Sequence, residues 1–266
     1  MPLEDRAAMN TVSQTLLEPL YKQYFARPIA FARFQGIYST FSDAERAVPA
    51  TLPGHFDTDD AAGMYGDRLD RLHPEDYAPL FWLSRIVQPG MTLFDLGGHI
   101  GIARHAFGRV LPALAETRWI CQDLPAVAKR GQALLAERPA AGLSFTSEVS
   151  DGDGADVWLG FGSPQYLDWD LPDRLAALKR PPRWVILNKI PVHPWAETVT
   201  LQNVGTAICP YRIFADAPVV SAYRAAGYRL VDRWKNPGCR CHIPFHTEFD
   251  VDPYSGFAFE RSEMLP

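Results

Sequence analysis

The residues 94–101, FDLGGHIG, bring together the groups most able to do chemistry. Asp95 leads into Gly97, Gly98, His99 and Gly101 at the end of an apolar run. Glycines in such a place allow positive φ and let a ligand approach the backbone closely. His99 adds an imidazole, which titrates near neutrality. It could be a base, a ligand contact or a side chain that the turn tolerates. Past the next apolar run, CQDLPAV places Asp123 at a strand end. A carboxylate there can accept two hydrogen bonds from a ribose diol, each worth roughly 1.5–3 kcal/mol where water is excluded. Asp123 could instead cap the helix that begins near Pro125. Counted from Gly97, the third position is His99 and the sixth is Ile102, so the G-x-G-x-x-G dinucleotide fingerprint fails. The looser D-x-G-x-x-x-G spacing is met by Asp95, Gly97 and Gly101.

Further candidates stand at the ends of later apolar runs. GSPQYLDW (162–169) offers Gln165 and Tyr166 as hydrogen-bonding groups, and the Tyr166 ring could attract a cation for about 1–2 kcal/mol. NKIPVHPW (188–195) offers Asn188, Lys189 and His193, with His193 a candidate base beside His99, and Tyr166 a third catalytic candidate through its hydroxyl or ring. The segment 190–216 is long for a strand-to-helix connection, and long ordered insertions are often functional. Its Gln202 and Tyr211 are expected in a substrate pocket, with Tyr38 and Tyr65 on a lid above it. CRCHIPFH (239–246) holds Cys239, Cys241, His242 and His246, but it lacks a separated second ligand pair, so no metal is expected.

These groups need elements to carry them. Before residue 89 the pattern is helical, over 12–26, 42–48 and 75–87, with no strand alternation. After residue 90, apolar runs at 92–96, 118–122, 143–147, 155–161, 183–189, 228–234 and 256–260 alternate with helical stretches. Those stretches are 101–116, 125–138, 172–180 and 217–226. The alternation predicts a mostly parallel sheet with helices on both faces. An irregular loop before the last run predicts an antiparallel final strand. The division expected is a helical lid and substrate segment, 1–88, followed by a Rossmann-like ligand-binding domain, 89–266.

Composition narrows the partner. With 31 acidic and 26 basic residues the formal charge is −5, which argues against a nucleic-acid binder and for a small molecule. No apolar stretch approaches the length of a membrane span or a signal peptide's core. Four cysteines in 266 residues do not suggest a disulfide scaffold. A soluble, cytoplasmic protein is expected, and the N-terminal helices could also join two copies in a homodimer.

DLGGHIG followed by QDLPAV resembles the small-molecule O-methyltransferases. The wider chain resembles a bacterial family of class I S-adenosylmethionine (SAM) methyltransferases. That likeness runs through FQGIYSTFSDAERA (34–47), GSPQYL (162–167), NKIPV (188–192), LQNV (201–204), CPYRIF (209–214) and AAGYRLVDRW (225–234). The family has serine or another small residue where His99 stands, and a more basic version of NKIPV. The resemblance implies SAM as cofactor, with contacts from the loop of Asp95, Gly97, Gly98, His99 and Gly101, and from Asp123 and Leu124. It also implies contacts at Glu148 after the third strand and at Gly162 and Ser163 after the fourth. The reaction implied is methyl transfer to an O or N of a metabolite or sugar-like acceptor. Two alternatives stay open: another SAM reaction that releases methylthioadenosine, and an accessory protein whose cofactor loop has degenerated.

Overall fold

The computed structural model describes residues 16–28 and 33–262. Residues 12–15 of the expected first helix lie outside the described residues, and 16–25 are helical (α1). Seven strands form the main sheet: β2 (Thr92–Leu96), β3 (Arg118–Gln122), β4 (Leu143–Thr146), β5 (Val157–Phe161), β6 (Trp184–Ile190), β10 (Tyr228–Asn236) and β11 (Tyr254–Arg261). They lie in the order β10-β11-β6-β5-β2-β3-β4. From β4 through β6 every pairing is parallel. β11 inserts antiparallel between β6 and β10. This is the Rossmann-like, mostly parallel seven-stranded sheet that the alternation predicted, reversed last strand included.

Both faces of the sheet are covered, which is why its central strands read as continuous apolar runs. Along β2, Phe94 and Leu96 enter one core with Trp158, Val185, Leu187 and Phe257. Helices α7 (Leu171–Ala176) and α8 (Asp216–Ala225) close that face through Leu171, Leu175, Val219 and Tyr223. Leu93, Trp119, Val157, Leu159 and Ile186 point the other way. There they meet α4 (Tyr77–Ile86) and α5 (Ile102–Gly108) through Leu83, Ile86, Ala106 and Phe107. The expected helix over 101–116 is interrupted: α5 stops at Gly108, and a separate 3-10 turn, Pro112–Glu116, follows. Proline at 112 has no N–H to continue the ladder. Helix α6 (Pro125–Glu137) begins with proline in its first turn, as expected.

The N-terminal third departs from the all-helical expectation. β1 (Arg33–Tyr38) is a strand and pairs antiparallel with β8 (Thr198–Asn203). With β9 (Ile208–Ala215) and the two-residue β7 (Val192–His193) it makes a second sheet, ordered β1-β8-β9-β7. The 190–216 segment is therefore mostly strand. β7 follows β6 directly, so this second sheet is built onto the carboxyl edge of the first. It also draws strands from both sides of residue 89, so 1–88 does not stand as a separate layer. β8 is buried along its whole length, and its polar side chains are satisfied by the N-terminal segment. Thr200 donates to the Gln35 carbonyl, and Asn203 donates to those of Phe25 and Arg27. The short helices α2 (Phe41–Arg46) and α3 (Asp59–Ala62), each capped by a threonine side chain, complete the N-terminal region.

Candidate functional site

Chain direction across the sheet reverses between β2 and β5, since β3 and β4 continue to one side of β2 and β5 and β6 to the other. The crevice beyond the carboxyl ends of such strands is where open α/β sheets hold ligands. The loop after β2 and the loop after β5 meet there. Ser163 Oγ donates to the Leu96 carbonyl, and a Cβ on Gly97, at φ +67°, would collide with the Ser163 side chain. A Cβ on Gly98 would run into the Asp95 carboxyl group and the Cys121 sulfur. The loop thus has bare backbone because its underside is full.

Asp95 forms part of that underside. It is 1% exposed, and its Oδ2 accepts from Trp119 Nε1 at 3.2 Å. Burial raises its pKa to about 7, against the lowering effect of the Trp119 bond. The expectation of a cofactor contact from the Asp95 side chain is therefore corrected: it props the loop from within the core. Gly101 is the left-handed residue that starts α5 and packs toward Leu143, so its role is also in seating the helix.

Asp123 faces the loop from the end of β3. Its Oδ2 accepts from the His99 backbone N–H and its Oδ1 from the Leu124 N–H, both at 2.8 Å. Each oxygen retains further acceptor capacity. Burial raises the Asp123 pKa, and the hydrogen bonds from the Leu124 and His99 N–H groups work against that rise. Asp123 does not cap α6. Asp57, from the N-terminal segment, accepts from the Ala126 N–H at 2.7 Å and takes that place. Leu124 is exposed on the rim of the same crevice, and Glu148 is exposed after β4.

His99 sits at φ +56°, where a side chain other than glycine is uncommon. Its Nε2 lies 3.0 Å from the Ala61 carbonyl, which can only accept, so Nε2 carries the proton. Nδ1 is then a lone pair, buried and without a partner among the described residues. Burial lowers the His99 pKa although Asp123 is near, so the ring is held neutral. Tyr65 packs edge-on against it with ring centroids 5.4 Å apart. The imidazole thus fastens the 56–70 segment over the glycine loop.

Across the crevice, Gln165 is buried and its Nε2 donates to the Lys189 carbonyl at 3.3 Å and to the Tyr211 hydroxyl at 3.4 Å. Its Oε1 is buried without a partner among the described residues. Tyr166 packs between Phe56 of the cover, at 5.1 Å, and Tyr211, at 5.2 Å. Its hydroxyl donates to Gln202 Oε1. Burial holds the Tyr166 phenol far above its ordinary pKa, so it keeps its proton and is no base. The Tyr211 hydroxyl donates to the Tyr254 hydroxyl at 2.8 Å, which leaves Tyr211 and Gln202 as floor.

Three expected site residues are placed elsewhere. His193 Nδ1 accepts from the Ala196 N–H at 2.9 Å, and Nε2 donates to the Glu248 carbonyl at 3.0 Å. With both nitrogens committed, it has no lone pair for a substrate proton. Asn188, fully buried, donates to the Glu75 carbonyl and accepts from Trp234 Nε1 and the Asn236 amide, so it is scaffold. Tyr38 reaches Gln35 at 3.4 Å within the second sheet. The side chains of 239–246 diverge, with Cys241 buried in a bridge to Val251 and His242 on Asp250 at 2.6 Å. Among the described residues, no group of three His, Cys, Asp or Glu is placed to hold a metal ion. No described helix is long and apolar enough to cross a membrane.

Asp57, Phe56 and Ala61 were not legible as site residues, since only the folding-over of the N-terminal segment brings them there. Lys189 carried a signal: it is a lysine at a strand's carboxyl end.

No family model matches the chain, and no curated protein does. Among solved structures it is similar to the Burkholderia thailandensis 1,6-didemethyltoxoflavin-N1-methyltransferase, which holds 1,6-didemethyltoxoflavin and S-adenosylhomocysteine. That likeness has 19% identity and a TM-score of 0.48 over 77% of this chain and 83% of that one. The magnesium protoporphyrin IX methyltransferase of Synechocystis PCC 6803, with bound S-adenosylhomocysteine, shows 14% identity and a TM-score of 0.48, covering 70% and 82%. The cyclase SpnF shows 12% identity and a TM-score of 0.49, covering 70% and 80%. Likenesses at this level carry no activity across to the chain.

Proposed function

We propose that this chain is a SAM-dependent methyltransferase that modifies an O or N of a small metabolite or sugar-like acceptor. The observation that supports it most is the pairing of a bare glycine loop with the Asp123 carboxylate at the switch point of a sheet in this strand order. The residues present fit the cofactor. Asp123 has acceptor capacity left for a ribose diol, and Gly97 and Gly98 leave backbone open to close approach. The orphaned Nδ1 of His99 suits a donor such as an ammonium group. Leu124 and Glu148 would flank the adenine, and Gly162 and Ser163 would lie beside the reacting end.

When bound, SAM supplies a methyl group on a sulfonium that is already a good leaving group. The protein's share is position: an acceptor atom held about 3–3.5 Å from that carbon and in line with it. Gln165 Oε1 would receive a donor of the acceptor molecule, and Tyr65, Phe56 and Tyr166 would keep water out.

Calorimetry with SAM, S-adenosylhomocysteine and NAD tests the cofactor. Binding of the first two and not of NAD is expected. Product analysis then tests the reaction. S-adenosylhomocysteine supports methyl transfer, while methylthioadenosine would replace it with the other SAM chemistry. Absence of binding would favour the accessory reading.

A further inference from the structure

We propose that Lys189 is the base that takes the acceptor's proton during methyl transfer, an inference that rests on the function proposed above. Lys189 stands near the end of β6, the strand beside β5 at the carboxyl edge. Its φ is +56°, in the left-handed region where the Cβ of a lysine crowds its own backbone. Tyr65 and His99, which pack on each other at the glycine loop, share that strained conformation. Strain of this kind persists only where the surroundings enforce it. Here the Gln165 amide grips the Lys189 carbonyl at 3.3 Å.

The side chain then runs along the loop after β5. A Cβ on Gly162 would sit 3.6 Å from Lys189 Cε, an ordinary packing distance, which places the lysine stem beside this loop. The aliphatic stem therefore lies against a loop expected to flank the reacting end of the cofactor. Among the described residues, Nζ makes no hydrogen bond and no ion pair.

The charged groups around it come from several elements. Asp76 and Glu75 belong to the turn before α4, Arg68 to the cover, Cys239 to the loop after β10 and Asp95 to β2. Two of these acids have other partners: Asp76 accepts from the His73 N–H at 2.9 Å, and Glu75 faces Arg68 at 3.9 Å. Desolvation lowers the Lys189 pKa most, Arg68 lowers it further, and the acids oppose the change. The Lys189 amine thus stands without a fixed anion partner, in surroundings that disfavour its charged form.

The other candidate bases fall short. Tyr166 keeps its proton and His193 has no free nitrogen. His99 hangs from the loop that holds the methyl donor, whereas Lys189 sits beside Gln165, on the acceptor side.

The step balances without an added reagent beyond SAM. Neutral Nζ takes the proton from an O–H or N–H. The acceptor's electron pair forms the bond to the methyl carbon, and the methyl–sulfur pair stays on sulfur. Lys189 later gives its proton to water. The acceptor class implied has a proton that an amine can remove, such as a phenol or a heteroaromatic N–H, with a neighbouring donor for Gln165 Oε1.

The test is the titration of Lys189 by NMR in the full-length protein labelled with 13C at lysine Cε. The chain's lysines are Lys22, Lys129, Lys179, Lys189 and Lys235, so its signal is assigned by its loss in Lys189→Arg or Lys189→Met. Titrations are run without ligand, saturated with S-adenosylhomocysteine and saturated with SAM. Lys189 is expected to titrate below the ordinary lysine value. Its proton affinity should be about tenfold or more lower with SAM than with S-adenosylhomocysteine, because the sulfonium charge faces the amine. Equal affinities in the two saturated complexes would overturn the proposal, since Lys189 would not face the methyl group. If calorimetry shows that neither ligand binds, the cofactor reading fails and this proposal with it, a result distinct from equal titrations in two formed complexes.

Discussion

Asp95 lies under the loop it introduces, and its carboxyl group is a sensor of that burial. Its pKa of about 7 stands above the ordinary 3.8, so between these values the folded chain binds more protons than the unfolded one. Stability from this group is therefore present at low pH and is lost as pH rises toward 7. Asp95→Asn keeps an acceptor for Trp119 but cannot ionise. Urea denaturation at about pH 5 and about pH 8 should show the variant gaining on the native chain at the higher pH, by about 2–3 kcal/mol. A gap that does not change with pH would contradict the burial argument. At this scale the sequence revealed the glycine loop and Asp123, because their types and spacing are themselves the signal. It could not reveal orientation. Asp95, Asn188 and His193 are polar residues at or near strand ends, and each turns out to be bonded inside the molecule.

The main-sheet strands were legible because both of their faces are buried and their apolar runs are unbroken. β1 and β8 were not. Gly36 interrupts β1, and β8, although Val199 and Leu201 alternate with polar residues, offers only two apolar positions and buries Thr198, Thr200, Gln202 and Asn203 against partners far away in sequence. Asn188 joins three elements: β6, β10 and the turn that carries Glu75. Asn188→Ala would strand two donors and a carbonyl in the interior. A loss of about 3 kcal/mol or more in urea denaturation is expected. A loss under about 1 kcal/mol would mean that the region relaxes or admits water. The contact between His99 and α3 makes a separate prediction. His99→Gly relieves the left-handed strain but releases the Ala61 carbonyl, so global stability should shift by less than about 1 kcal/mol. Amide exchange over residues 59–70 should nevertheless speed up, as measured by hydrogen–deuterium exchange mass spectrometry. Unchanged exchange there would show that the histidine does not hold the cover.

At the level of the whole molecule, two sheets meet at one edge, and that edge carries several groups with unspent bonding capacity. The Asp123 carboxylate, His99 Nδ1, Gln165 Oε1 and Lys189 Nζ come from separate strands and loops and gather at the switch point. The N-terminal segment crosses the glycine loop through Asp57, Ala61 and Tyr65. The central claim is that the Asp123 carboxylate and the glycine loop form the cofactor site. Isothermal calorimetry with S-adenosylhomocysteine, on the native chain and on Asp123→Ala, tests it most directly. The native chain should bind, and the variant should bind at least about tenfold more weakly, as the loss of one or two charge-assisted bonds requires. No binding to the native chain, or the same affinity in Asp123→Ala, would contradict it.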